Sequence, residues 1–192
     1  MKTNIAIFSS GSGNSSKKLL ENINQLNSTI NLIITNKSDS SIIELAKKYK
    51  ISYFYLPKKK NISNIDYDTQ LVNILNIFNI DIIFLIGYMR IVTPPLINAF
   101  KNKIFNIHPS LLPKYKGLMD LDIHETVIKN NDIYTGCTLH VVEEIVDNGK
   151  IILQKNLKVS TKDKYELKKD IQNLENDCIY EFIKSIENNN LN

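Results

Sequence analysis

The sequence predicts a single α/β domain on a doubly wound, mostly parallel sheet in its N-terminal half, with antiparallel strands added in its C-terminal half. Three observations predict it. Short Ile-rich apolar runs alternate with helix-period segments from Ile5 to His108, the order that βαβ units produce. The run Ile82 to Ile86 is apolar throughout, as a strand covered on both faces must be. After Pro113 two strand-like runs flank a glycine-containing turn at Asp147-Asn148-Gly149, the pattern of an antiparallel pair.

Taken in order, Ile5 to Phe8 reads as the first strand, followed by a Ser/Gly turn and a helix with Leu19, Leu20, Ile23 and Leu26 on one face. Asn31 to Thr35 is the second strand and Ser40 to Tyr49 the second helix, and Tyr53 to Leu56 is a third strand stopped by Pro57. Ile65 to Phe78 places Leu71, Ile74, Leu75 and Phe78 at helical spacing, ahead of the buried strand. Thr93 to Phe100 is a short helix with prolines in its first turn. It leads into the strand Ile104 to His108, which Pro109 ends because proline cannot donate to a ladder. A helix from about Asp122 to Lys129, strands Thr135 to Val142 and Ile151 to Leu157, and a final helix with Leu167, Ile171, Leu174, Cys178 and Phe182 on one stripe complete the chain. The domain is expected over residues 1–187, with an Asn-rich, disordered tail at 188–192.

Composition narrows the function classes. At 192 residues, 43% hydrophobic and 23% charged, the chain can bury a core without staples. Its net charge of +4 is scattered, with no basic stripe interleaved with aromatics, so no nucleic-acid partner is expected. Cys137 and Cys178 lack metal-ligand spacing and are expected reduced and buried, with no metal site. The first apolar run is too brief for a signal peptide or a membrane span. A cytoplasmic protein acting on small molecules, monomeric or a weak homodimer, is the expectation.

Three places carry chemistry. Ser9 to Ser16 joins the first strand to the first helix, where backbone N–H groups and the helix start can take a phosphate. The dinucleotide pattern fails at Ser16 and at Asn36, and the nucleoside-triphosphate loop pattern fails at Ser16 and Lys18. A monophosphate-sized site and a plain capped turn both remain. Asn106 and His108 lie two residues apart on one strand, hence on one face, at the carboxyl edge where open α/β sheets bind ligands. A histidine there can exchange protons near neutrality and an amide can donate to an oxyanion, although a lone strand histidine is often structural. His124 and His140, inside a helix and a strand, fit structural roles better. Asp147 is either a turn residue or, if brought near His108, a carboxylate that raises the imidazole pKa.

Together these segments identify a resemblance. Ser10-Gly11-Ser12-Gly13, Gly87-Tyr88-Met89-Arg90-Ile91-Val92, Asn106-Ile107-His108-Pro109-Ser110-Leu111-Leu112-Pro113, Thr135-Gly136-Cys137-Thr138-Leu139-His140 and Val146-Asp147-Asn148-Gly149 span nearly the whole chain. The chain resembles the phosphoribosylglycinamide formyltransferases, folate-dependent enzymes of purine biosynthesis. The resemblance implies a formyltransferase-like fold and formyl transfer from 10-formyltetrahydrofolate to the glycine amine of glycinamide ribonucleotide, without a metal. It implies that Asn106 stabilises the oxyanion, that His108 transfers the proton, and that Asp147 raises the His108 pKa and helps order a water. It implies that Met89, Arg90, Ile91 and Val92 line the folate pocket, with Glu143, Glu144, Ile145, Val146 and Asp147 closing over the pterin. It also implies that Gly13, Asn14 and Ser15 cradle the phosphate, with Gln172 beside Glu175, the carboxylate that holds the substrate amine.

The chain departs from the pattern at four places. Asn14 and Ser15 are swapped, Asn64 stands where an Arg is frequent, Met119 where some relatives have His, and Lys150 where Pro is usual. Formyltetrahydrofolate hydrolase and methionyl-tRNA formyltransferase share the Asn, His and Asp set. Their extra N- or C-terminal domains are not expected in 192 residues. A non-catalytic nucleotide-binding module would leave that set unexplained.

Overall fold

The computed structural model describes residues 2–189. Its elements are β1 (Asn4–Phe8), α1 (Asn14–Glu21), β2 (Thr29–Thr35), α2 (Ile42–Lys48), β3 (Ser52–Tyr55), α3 (Asn64–Ile77), β4 (Ile82–Leu85), α4 (Pro94–Ala99), β5 (Ile104–His108), α5 (Leu121–Lys129), β6 (Tyr134–Val141), β7 (Ile151–Lys158) and α6 (Lys164–Asn189). They form one seven-stranded sheet in the order β3-β2-β1-β4-β5-β6-β7. The pairs among β1 to β5 are parallel, and β5-β6 and β6-β7 are antiparallel.

Side chains alternate across this sheet and fill two cores. Ile5, Ile7, Ile33, Phe84, Phe105 and Ile107 pack with residues of α1, α2, α5 and α6. Ala6, Phe8, Leu32, Ile34, Ile83 and Ile104 pack on the other face with α3 and α4. The continuous apolar runs therefore have the cause the sequence indicated, burial on both faces. The order reverses between β1 and β4, so the loops after β1, β4 and β5 open onto one crevice at the carboxyl edge.

Several element boundaries differ from the sequence reading by one or two residues, and the ends of α1 and α6 differ in kind. The first helix stops at Glu21, and Ile23–Gln25 forms a separate 3-10 turn. Leu26 is still buried but is not on that helix. At the other end α6 runs to Asn189, two residues beyond the domain boundary expected at 187, while residues 190–192 of the expected tail lie outside the described residues. Cys137 and Cys178 are both free and buried.

Candidate active site

The site begins with strand register. Asn106 and His108 share the face of Ile104, and in the antiparallel pairing Asn106 lies opposite His140 and His108 opposite Thr138. Opposed residues of an antiparallel pair project to the same side. His140 is therefore drawn into the cluster rather than into the core, correcting the structural role read from its alternation. Its Nδ1 lies 2.9 Å from the Val141 carbonyl, and its Nε2 lies 3.1 Å from Asn106 Nδ2. With Nδ1–H donating to the carbonyl, Nε2 can accept from the Asn106 amide or, when it carries a proton, donate toward Asp147. The accepting form of His140 turns the Asn106 NH₂ toward the ring.

Asp147 enters from the loop after β6. Its backbone is held at φ +52, one carboxylate oxygen accepts the Gly117 N–H at 3.0 Å and lies 3.4 Å from His108 Nδ1. The other oxygen lies 3.5 Å from His140 Nε2. The second nitrogen of His108, Nε2, is 3.3 Å from the Tyr115 carbonyl. Acceptors thus flank both imidazole nitrogens, an arrangement that favours the imidazolium.

Burial opposes it. Burial is the largest influence on His108 and pulls the imidazole below its ordinary value, and His140 pulls the same way, while the Asp147 charge and the Tyr115 carbonyl push it up. Asp147 thus acts in the expected direction, but the net shift of His108 is downward. Burial also works to raise the Asp147 carboxyl, yet the His140 ring, the His108 charge and the Gly117 N–H together hold it below the usual carboxylate range.

The turn after His108 is fastened from the sheet. Thr138 Oγ1 donates to the Ser110 carbonyl at 2.6 Å and accepts the Leu112 N–H at 3.0 Å, and Gln154 Nε2 donates to both Thr138 Oγ1 and the Leu112 carbonyl. A cleft of about 390 Å³ opens over the strand edge. It is lined by Asn106, His108, His140 and Asp147, by Ser15, Gln172 and Glu175 on the α1 and α6 side, and by Met89 to Val92 after β4.

The formyl transferase family pattern matches residues 3–183. The chain belongs to the formyl transferase family. It is 34% identical over 164 residues to the phosphoribosylglycinamide formyltransferase of Haemophilus influenzae, covering 84% of this chain and 76% of that protein. It has the same identity, over 84% of its length, to the human trifunctional purine biosynthetic protein adenosine-3, of which it spans only 16%. It spans 56% of the chloroplastic phosphoribosylglycinamide formyltransferase of Arabidopsis thaliana. The crystal structure of phosphoribosylglycinamide formyltransferase from Bacillus halodurans superposes with a TM-score of 0.83 at 36% identity, over 91% of this chain and 90% of that one.

In this member of the family the residues anticipated from sequence fall into two groups. Ser15, Gln172, Glu175, Met89, Arg90, Ile91, Val92, Asn106, His108, Glu143, Val146 and Asp147 all line the cleft. Gly13, Asn14, Glu144 and Ile145 are not on its wall: Gly13 is buried at φ +75 before α1, and Ile145 is 63% exposed. Burial pushes the Glu175 carboxyl up to about 7, partly offset by Ser15 and the charge of Lys168. Arg90 stacks on the Tyr67 ring at 4.3 Å and donates to Asn64 Oδ1 at 3.2 Å.

Sequence reasoning missed three connecting residues. Besides His140, Ser10 donates to Asn36 Oδ1 at 2.6 Å and accepts the Met89 N–H at 2.9 Å, tying the loop after β1 to the loop after β4. Asn176 accepts the Lys18 N–H at 3.0 Å and donates to the Asn14 and Gln172 carbonyls at 2.8 Å, tying α1 to α6. The Asn106 and His140 pairing was available from strand alternation once β6 was placed beside β5. In an Asn-rich chain nothing marked Asn176.

Proposed function

We propose that this chain transfers the formyl group of 10-formyltetrahydrofolate to the glycine amine of N1-(5-phospho-D-ribosyl)glycinamide, giving the N2-formyl product and tetrahydrofolate in de novo purine (IMP) biosynthesis. One observation carries the reading. The Asn106, His108 and Asp147 cluster lines the same cleft as the α1 and α6 residues Ser15, Gln172 and Glu175 and the β4-loop residues Met89 to Val92. Direct transfer needs two substrates side by side, and holding them so supplies much of the rate. The names of the Haemophilus and Bacillus relatives support the same choice of acceptor.

The folate supplies the formyl carbon, and the apolar side chains of Met89, Ile91, Val92 and Val146 on the cleft wall suit a flat ring system. Glu143 and Glu144 to Asp147 close that side. The phosphate is held at the start of α1 beside Ser15, with Gly13 and Asn14 shaping the loop behind it, and Gln172 and Glu175 hold the glycine end. The amine nitrogen bonds to the formyl carbon while Asn106 donates to the formyl oxygen as that oxygen gains charge. His108 then protonates the departing folate nitrogen as the old carbon–nitrogen bond breaks. Asp147 opposes, without overcoming, the burial that draws His108 toward the neutral form. The amine proton passes by way of a water ordered by Asp147 to His108, replacing the proton His108 gave to the folate nitrogen, so the step balances.

The reading carries with it a cytoplasmic enzyme of small molecules, a monomer or weak homodimer, with no metal in the chemistry. No helix among the described residues is long and apolar enough to cross a membrane. Purified protein given 10-formyltetrahydrofolate with the ribonucleotide, with initiator methionyl-tRNA or with water alone should deformylate the folate only with the ribonucleotide. Equal release without any acceptor would mean a hydrolase instead.

A further inference from the structure

Tyr115 and Asp132 stand behind the catalytic cluster, and their side chains have no part in the chemistry above. Neither residue lines the cleft. Yet the Tyr115 carbonyl lies 3.3 Å from His108 Nε2, and Tyr115 takes that position at φ +62. This left-handed conformation is uncommon for any residue with a side chain and an outlier for a bulky one. Such strain persists only where the surrounding structure holds it.

The holding contacts are specific. The Tyr115 hydroxyl donates to Asp132 Oδ2 at 2.7 Å and accepts from Asn130 Nδ2 at 2.9 Å. Lys114 Nζ donates to the other Asp132 oxygen at 2.6 Å. Burial works to raise the Asp132 carboxyl, but the Lys114 and Tyr115 bonds hold it below the usual carboxylate range, so it is charged at neutrality. Two residues after Tyr115 the Gly117 N–H reaches Asp147 Oδ2 at 3.0 Å, and between them Lys116 Nζ donates to Asn148 Oδ1 at 2.8 Å. The run from Tyr115 to Gly117 therefore touches both members of the His108 and Asp147 pair, and its start is fastened to the turn between α5 and β6.

We propose that Tyr115 and Asp132 are positioning residues for the proton transfer: they pin the Tyr115 carbonyl against His108 Nε2 and so decide which ring nitrogen exchanges its proton. This rests on the reading of His108 as the proton-transferring group and deepens it. A carbonyl only accepts, so it selects the ring forms that carry a proton on Nε2, the imidazolium and the neutral Nε2–H form. The neutral form with its proton on Nδ1 would turn a lone pair toward the carbonyl oxygen. Nδ1, on the Asp147 side, is then the nitrogen that gives up the proton and regains it. The titratable groups facing His108 are Asp147 and His140, and the charged groups facing the Tyr115 side chain are Asp132 and Lys114. All four are kept in Tyr115→Phe.

Ring 15N spectra of histidine-labelled protein, recorded across pH without substrate, read the tautomer and titration of His108 directly, with His124 as the internal reference among three histidines. Tyr115→Phe keeps the ring and removes only the hydroxyl, Asp132→Ala removes its acceptor, and Asp132→Asn keeps one. In Tyr115→Phe and Asp132→Ala the His108 titration should move to lower pH and the neutral ring should lose its preference for Nε2–H, with Asp132→Asn between them and wild type. The midpoint at which kcat falls as pH rises should move the same way. At neutrality kcat should drop about three- to tenfold, the loss of one hydrogen bond, with KM for both substrates near wild type. Tyr115→Phe decides the matter if Asp132→Ala fails to fold. An unmoved His108 titration in folded Tyr115→Phe, or a lower kcat with an unchanged pH profile, would overturn the assignment. Absence of formyl transfer by wild type would sink the substrate reading itself, an outcome told apart because the spectra need no substrate.

Discussion

His108 is under two opposed demands, burial that favours the neutral ring and a carboxylate and a carbonyl that favour the charged one. Replacing Asp147 by Asn removes the upward push. The midpoint at which kcat falls as pH rises, set by the acid His108, should then move to lower pH, with kcat at neutrality down about 10²-fold or more. An unmoved profile would separate Asp147 from His108. Asn106→Ala should lower kcat about 10²–10³-fold, with little change in thermal midpoint. Glu175 offers a stability test with a definite sign. Its carboxyl titrates near 4.5 when unfolded and about 7 when folded. Its contribution is therefore fully present below pH 4.5 and is lost as pH rises toward 7, by on the order of 3 kcal/mol. Glu175→Gln should accordingly raise the melting temperature relative to wild type at pH 8 and not at pH 4, while weakening ribonucleotide binding. A uniform change at both pH values would contradict the buried-charge account.

At the scale of elements, β5 reads directly from sequence because its periodicity and its stop signal agree: Ile104 to His108 is apolar but for Asn106 and His108, which share a face, and Pro109 follows. The first helix was read too long because Ile23 and Leu26 keep the helical spacing after Glu21, where the chain tightens into a 3-10 turn. Gly13 is the glycine whose replacement strains the start of α1. It takes φ +75, and an added Cβ would lie 2.5 Å from Ile42 Cδ1 and 3.0 Å from Leu45 Cδ1. Gly13→Ala should destabilise the fold by about 1–3 kcal/mol in urea denaturation. It should also raise KM for the ribonucleotide more than KM for the folate, because the strain falls on the start of α1. Equal effects on both would mean that the loop serves the whole cleft.

At the scale of the whole molecule, the site exists because α6 returns across the sheet to meet α1. Asn176, 3% exposed, bridges an i, i+4 carbonyl and amide pair in α1 and bonds to Gln172. Asn176→Ala should cost about 2 kcal/mol or more by leaving these groups unpaired. It should weaken ribonucleotide binding while leaving folate binding near wild type, as equilibrium titrations would read. Loss of both would show one undivided cleft. The sequence by itself determined the α/β class, the two-sided burial of the inner strands, the edge position of Asn106 and His108 and the family, since periodicity, proline placement and motif order are local properties. Only the tertiary structure decided that Asp147 reaches His108, that His140 orients Asn106 and that Gly13 and Asn14 stand off the cleft wall. It also decided the net direction of the His108 shift. Those outcomes depend on strand register and burial, which arise between segments distant in sequence and which no single segment encodes.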